Sequence, residues 1–530
     1  MRPTFMGFET AKSGINVSQK ALDITGNNLA NMDTAGYTRQ RLDVNSIAPS
    51  SYSTRIAINR IGLTGQGVEG LGVGQTRDAF LDKRFRDEYA SASYYSQSNA
   101  ILSDIQSALG DASDVSEGGD VFAQALRQMY ESLNDFSGNP TSTPHANLVL
   151  SAFNNATQVL QLLDKKLNDV ADQQVFDLEV GVDRVNTILE QIANLNKAIS
   201  NDATVLQNPD NEYFRPNELM DHRNLLLDEL ASYGNINVTL NGDATVTVKM
   251  GNHEILSGET FDKINMSTDD ETGVVSLNWN SSGDELQLTG GALLGYTDFI
   301  NGRGANMQNP GETNKQGILY YKDRLDTMAR TMANLVNNVI PEMEEVPDPN
   351  NPNGPPILKQ KVDANGNLIF KELLSAKTKN GTTDNKIPIT AANISVSDLW
   401  TQGGADYFIS ASGDKNNANY AQQISNLLTN QEVVFVSYGE TFRGTFEDYL
   451  IDYTGKIGAD AAFYDNRQNV VAKVADEYLN KRDSISGVSE NEETVNMMTY
   501  QKSFNASSRM MTTLDDLLDT LINRTGRVGL

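Results

Sequence analysis

Both ends of this 530-residue chain carry the same kind of segment. Near the N-terminus Phe8, Ala11, Ile15, Ser18, Leu22, Thr25, Leu29 and Met32 recur at alternating steps of three and four. Near the C-terminus Met497, Tyr500, Phe504, Ser507, Met511, Leu514, Leu518 and Leu521 do the same. That spacing keeps one stripe of side chains on one face of a helix, the seam of a coiled coil. The two terminal helices are therefore expected to find each other, and the candidate interface residues lie on them.

The charge is distributed to match. The chain carries −27 in total, yet residues 1–60 hold a net +3 and residues 497–530 a net +1, which leaves −31 to the middle. Acidic residues are kept off the two apolar ends, as on a solvated body whose interfaces avoid like-charge repulsion. So acidic a chain lacks the basic footprint that a phosphate backbone needs, so no nucleic-acid groove is expected. There is no cysteine, which excludes disulfides, thiolate metal sites and cysteine nucleophiles. Met1–Ile24 is amphipathic and includes Glu9, Lys12, Lys20 and Asp23, unlike a cleaved secretory signal. No run of about 18 apolar residues suggests a membrane span.

Along the chain, the first helix is expected over 4–31, closed by the Asn- and Gly-rich 27–36 stretch. Residues 38–75 read as extended, with alternation at Arg55–Ile58 and six glycines between Gly62 and Gly74. Helical spacing starts near Arg77. Val149, Phe153, Ala156, Leu160, Leu163, Leu167 and Val170 form one stripe. After a stutter at Gln174 it resumes through Leu178, Val182, Val185, Leu189, Ile192 and Ile199, a rod of roughly 75 Å. Another helix opens at Asn217. From Asn235 the period falls to two, in Val238–Leu240, Thr245–Val248 and Val274–Leu277 between Asn-Gly, Gly-Asn and Thr-Gly turns. Helical spacing returns from Ile318 to Val339, five prolines crowd 347–356, and 357–415 suggests short strands and loops. Phe446 to Tyr478 suits a long helix.

The predicted fold class is α+β multidomain. The N- and C-terminal helices pair as a coiled coil formed by 1–75 with 486–530. A helical rod domain comprises 76–235, 317–345 and 416–485. An inserted β-rich outer domain spans 236–316, and an irregular or β insertion or linker spans 346–415.

Motifs of chemistry are weak. Gly65-Gln66-Gly67-Val68-Glu69-Gly70 matches GxGxxG, but Gly72 and Gly74 follow, no helix begins in the turn, and Glu69 would repel phosphate. His253-Glu254-Ile255-Leu256-Ser257 starts like HExxH but has Ser257 for the second histidine, in a β region. Asp363-Ala364-Asn365-Gly366-Asn367 is better read as a turn than as a calcium loop, because Leu374 stands where the loop's last glutamate belongs. No catalytic residue, cofactor site or metal site is therefore expected.

Gly26-Asn27-Asn28-Leu29-Ala30-Asn31, followed by Thr34-Ala35-Gly36-Tyr37-Thr38-Arg39-Gln40, resembles the N-terminal signature of bacterial flagellar rod, hook and hook-associated proteins. The Ala-Gly-Tyr-Thr-Arg-Gln continuation is closest to the hook-associated members of the hook–filament junction. Gly65–Val68 with Arg77–Asp82, Leu219–Arg223, Ser486–Glu493, Tyr500–Phe504, Leu517–Asn523 and Gly526–Gly529 resemble further blocks in the same order. The resemblance implies a non-catalytic structural protein exported unfolded through the flagellar type III apparatus to the extracellular flagellum. It implies a homo-oligomeric ring with the hook protein on one side and a second junction protein on the other, and an export chaperone before secretion. No nucleic acid or membrane partner is implied. The assembly interface would comprise Phe8, Ile15, Leu22, Asn27, Asn28, Leu29, Asn31, Met497, Phe504, Met511, Leu514, Leu518 and Leu521. Another axial protein of the hook or rod, an extracellular adhesin acting through 236–316, and an enzyme carried on a flagellar scaffold, against which the missing HExxH speaks, are the rival readings.

Overall fold

The computed structural model describes residues 6–47, 66–109, 121–202, 205–206, 215–269, 272–305, 307–349, 354, 356–409, 419–437 and 440–524. The expected Arg55–Ile58 strand and the Gly526–Gly529 block lie outside them.

Helix α1 (Met6–Ala30) leads into an antiparallel pair, β1 (Gln40–Ser46) and β2 (Val68–Gln75), the latter built from the glycine-rich run. Helices α2 (Ala79–Leu109), α3 (Val121–Gly138), α4 (Thr143–Ser200) and α5 (Asn217–Tyr233) follow. At 58 residues α4 is about 87 Å long. Ser142 at its N-cap is extended and Pro144 sits in its first turn, where a missing N–H costs nothing. Its stripe is buried on both sides of the stutter except for the half-buried Val170, and Gln174 is buried there too, donating to Asp104 at 2.9 Å.

The β insertion contains a four-stranded antiparallel meander: β3 (Ile236–Leu240), β4 (Val246–Met250), β5 (His253–Ser257) and β6 (Thr260–Phe261). A hairpin of β7 (Ile264–Thr268) and β8 (Val275–Trp279) accompanies it. Two asparagines of α4 bond these strands to the rod. Asn186 exchanges hydrogen bonds with the backbone of Ile264 at 2.9 and 3.0 Å. Asn196 donates to the carbonyls of Val246 (3.1 Å) and Gly258 (2.8 Å) and accepts from the Val246 N–H (3.2 Å). Val246, Val248, Leu277 and Trp279 belong to the same apolar cluster as Val182 and Leu189 of α4, so strands and rod share one core.

Helix α6 (Ala292–Ile300) closes the insertion, where sequence periodicity suggested only strands and turns. It is apolar nearly all round and buried, so it shows no amphipathic period. Gly291 before it has φ +94°, and a Cβ there would stand 2.3 Å from the Tyr233 carbonyl oxygen; only glycine fits.

Helix α7 (Ile318–Asn337) then returns to the rod. The hairpin β9 (Met343–Val346)–β10 (Ile357–Gln360) brackets the proline run. The sheet β12 (Thr383–Asp384)–β11 (Leu374–Lys377)–β13 (Ile394–Val396) fills the next stretch. That stretch also contains α8 (Asp398–Ile409), read from sequence as strands and loops. Gly404, at φ 54°, interrupts its pattern, yet Trp400 is fully buried, stacked on Phe408 and edge-on to Phe153 of α4.

Helix α9 (Asn419–Leu428) and the hairpin β14 (Val434–Ser437)–β15 (Glu440–Arg443) precede α10 (Phe446–Ser486), which opens with a capping box between Thr445 and Asp448. Its stripe Phe446, Tyr449, Leu450, Tyr453, Ile457 and Tyr464 is buried, and it runs along α2. Helix α11 (Glu490–Asp519) returns beside α1, ending in a π-helical turn at Thr520–Arg524. The architecture is α+β: long helices with small antiparallel sheets.

Candidate assembly interface

Helices α1 and α11 lie antiparallel, and α1's contact face is made of small side chains. Ala11, Ser18, Ala21, Thr25 and Asn28 are its buried positions. A Cβ on Gly7 would stand 3.0 Å from a Leu514 methyl, and one on Gly14 2.7 Å from the Ser507 hydroxyl. Ser18 donates to Ser503 across the contact at 3.1 Å. Small residues let the backbones approach, since helix separation follows the side chains at the contact.

The sequence-derived stripe on α1 is thus partly displaced. Ala11, Ser18 and Thr25 sit in the contact, whereas Phe8, Ile15, Leu22 and Leu29 flank it half-buried and Met32 is exposed. On α11 the stripe falls on the contact side: Met497, Tyr500, Phe504, Ser507, Met511, Leu514 and Leu518 are half-buried. Leu521, in the terminal π turn, is 55% exposed. Only Glu493 on α11 is buried, so one partner helix covers this stripe in part.

At the base of the pair the quoted motifs converge. Asn28 uses its whole hydrogen-bonding capacity. Its amide nitrogen donates to the Gln40 carbonyl (2.8 Å) and to Glu493 (3.3 Å). Its oxygen accepts from the Gln40 N–H (3.0 Å) and the Tyr37 hydroxyl (2.8 Å). Asn27 is exposed and donates to Tyr37; Asn31, half-buried, donates back to Asn27. Arg39 binds Glu493 (2.7 Å) and Glu492 (2.8 Å), and its N–H donates to the Ser486 carbonyl at 2.8 Å. The Thr38 N–H donates to Asp221 on α5 (3.1 Å). Gln75 on β2 also donates to Asp221 (2.8 Å), and Asn217 returns a bond to the Val73 carbonyl. Burial raises the Asp221 carboxyl above its ordinary range, against the lowering by these bonds. Burial first, then the nearby Asp221, Glu218 and Glu493 carboxylates, push the Tyr37 hydroxyl up to about 12.

One layer further in, Arg77 grips Asp82 (2.6 Å), while Asp228 is shared by Arg86 (2.7 Å) and Arg482 (2.6 Å). Residues from seven elements, hundreds of positions apart, form one charge-paired joint between the terminal helices and the rod. Arg39, Gln40, Asp221, Glu492 and Glu493 stand in the quoted motif blocks but were not placed in the interface, and Gln75 was in neither. The Glu492-Glu493 pair opposite Arg39 is the one signal that could have raised them.

The glycine run is not a loose connector in its described part. Gly67 has φ +109°, and its Cβ would lie 2.3 Å from the Ser13 hydroxyl, so β2 presses directly on α1. His253 stacks on Trp279 and bonds Asp262 at 2.9 Å; it is a sheet residue. Asp363 caps its own turn by accepting from the N–H groups of Asn365 and Asn367. Among the described residues no group of three or more His, Cys, Asp or Glu could hold a metal ion, and no helix is long and apolar enough to cross a membrane.

Comparison with known proteins agrees with this architecture. The flagellar hook-associated protein FlgK helical domain matches residues 102–341, the flagellar basal body rod FlgEFG protein C-terminal family residues 480–524, and the flagella basal body rod protein family residues 8–38. A flagellar hook-associated protein 1 of Bacillus subtilis is 28% identical across the whole of both chains. One from Salmonella typhimurium is 29% identical over 42% of this chain and 36% of its own length. The flagellar hook junction protein FlgK from Burkholderia pseudomallei shares the fold, with a TM-score of 0.50 at 12% identity over 76% of this chain and all of that one. Three flagellar family models match in chain order and one relative aligns end to end, so the chain is similar along its whole length to flagellar hook-associated protein 1.

Proposed function

We propose that this structural protein of the flagellum polymerises as the junction layer between hook and filament, and that filament assembly needs it. In this reading α1 and α11 pair as a coiled coil facing the neighbouring subunits of a ring. The β insertion and 346–415 face outward. The hook protein lies on one side and a second junction protein on the other, the location is extracellular, and an export chaperone holds the chain before secretion.

One observation carries the reading. α11 bears a continuous apolar stripe, yet Glu493 is its only buried side chain, while Val495, Met498, Met510 and Leu517 stand exposed. A further helix would complete the cover, and apolar faces of this kind mark protein contacts.

Leu518→Asp tests it. The change removes about 2 kcal/mol of apolar burial per contact and adds the desolvation of a carboxylate, repeated at every subunit. Cells carrying it should build hooks but shed flagellin as monomer, with the purified chain still folded. Asp516→Lys, at an exposed site beside the stripe, should assemble normally. Wild-type motility with Leu518→Asp would rule the stripe out as an assembly surface.

A further inference from the structure

A chain this acidic carries an inverted patch in its interior. A cavity of about 450 Å³ lies between the start of α2, helix α5 and the β3–β4 hairpin. Arg77, Lys83, Arg86, Arg215 and Arg223 line it, against a single carboxylate among the described residues, Asp82. Met220, Ile236, Val238 and Val246 give it an apolar wall, and Gln75, Asn217 and Asn224 add neutral polar groups.

Local pairing leaves positive charge over. Asp82 is taken by Arg77 through two hydrogen bonds, at 2.6 and 3.1 Å. Arg86 gives its Nε to Asp228, which Arg482 shares, and its buried Nη2 has no partner. Arg223 is 1% exposed, and its partners are neutral: the Ala244 carbonyl at 2.6 Å and the Asn196 side chain at 3.0 Å. Its buried Nε has none. Burial, and then Arg77, Arg86 and Arg215, pull the Arg223 guanidinium down to about 10, with Asp243 opposing them. Ala244 is the one non-glycine among the described residues with positive φ, at 63°, and that strained carbonyl holds Arg223 in place.

We propose that this cavity binds a small organic oxyanion, with its charged head between Arg223 and Arg86 and its apolar body against β3 and β4. Guanidinium forks match the oxygens of carboxylate and phosphate in geometry and charge. A buried cation without a counter-charge is costly, so an occupant that neutralises it stabilises the fold. The volume lies in the range of small-molecule sites, which combine apolar walls with a few placed polar groups. Gln75 and Asn217, which hold the Asp221 joint, line the same cavity, so occupancy firms the base of the terminal helices.

The test uses the full chain with phenyl phosphate and inorganic phosphate as probes, against chloride at equal ionic strength, read by calorimetric titration and thermal unfolding. Phenyl phosphate should give saturable one-site binding and, at roughly ten times its dissociation constant, raise the melting temperature by a few degrees. Inorganic phosphate should bind more weakly. Arg223→Met should weaken phenyl phosphate at least about tenfold, the loss expected of a charge-assisted pair. Should that variant fail to fold, Met220→Glu decides: it places a tethered carboxylate in the cavity and should abolish binding. His222→Glu adds the same charge to the exposed face of α5 and should bind like the parent. No saturable binding in the parent, or binding retained by Met220→Glu, would overturn the site.

Discussion

Asn28 shows how much one side chain can organise. It is almost fully buried, and all four of its hydrogen bonds join segments that are otherwise separate: the end of α1, the start of β1 and the start of α11. Asn28→Ala would leave the Gln40 backbone and Glu493 short of partners in a buried place, a loss of about 1–3 kcal/mol. Amide exchange should quicken in 20–30 and 490–497 and stay unchanged in α4. Asn28→Asp should do more harm, because its carboxylate would face Glu493. A second residue-scale consequence concerns Asp323 on α7. Burial, chiefly, pushes its carboxyl up to about 7, with Asp326 and Glu312 adding to the rise and Arg303 and Arg330 opposing it. A folded pKa above the unfolded value means that the native state holds the proton longer. This residue's contribution to stability is therefore full below about pH 4 and falls as pH rises towards about 7. Asp323→Asn should raise the melting temperature at pH 8 and matter little at pH 4; equal shifts at both would refute the assignment.

At the scale of elements, the close approach of α1 and α11 depends on the small face Gly7, Ala11, Gly14, Ser18 and Ala21. Gly14→Leu would drive a side chain into Ser507, where even a Cβ lies 2.7 Å away. The pair should separate, and a cysteine-labelled distance between α1 and α11 should lengthen by several ångströms. Gly26 is the internal comparison, since nothing stands within 4 Å of its Cβ position. Gly26→Ala should leave the pairing intact and stabilise α1 by up to about 1 kcal/mol through helix propensity. If both substitutions behaved alike, small size along the contact would not be what brings the helices together.

On the scale of the whole molecule, insertion and rod are not independent. The strands of 236–279 share the apolar cluster of α4, and Asn186 and Asn196 supply hydrogen bonds the strands cannot make among themselves. The isolated 236–316 segment should therefore be unfolded by circular dichroism, while the same segment in the full chain melts together with the rod. An independent cooperative transition for the excised segment would show that it carries its own core. The acidic excess of −31 in the middle of the chain is then a property of one continuous body, with the near-neutral terminal pair joined to its base.

Period and composition determined a good deal unaided. The α4 rod, the change to strands near Asn235, the α10 stripe and the contact side of α11 all follow from spacing, because a helix or strand presents its faces at a fixed angle per residue. The side of α1 that is buried follows only in part. Ala11, Ser18 and Thr25 of the expected stripe sit in the contact, but the larger Ile15 and Leu22 flank it while Gly14 and Ala21 join it, since how closely two helices approach depends on both surfaces at once. Helices α6 and α8 escaped for a related reason: buried nearly all round or broken by glycine, they leave no one-sided pattern to read. The quoted motifs marked out 26–40, 219–223 and 486–493, but not that Asn28, Arg39, Asp221 and Glu493 form one joint. That convergence, and the surplus of buried arginine beside it, exist only once the chain has gone out along α4 and come back along α10. Long-range charge pairing has no local sequence period to announce it, and it was the tertiary fold that decided it.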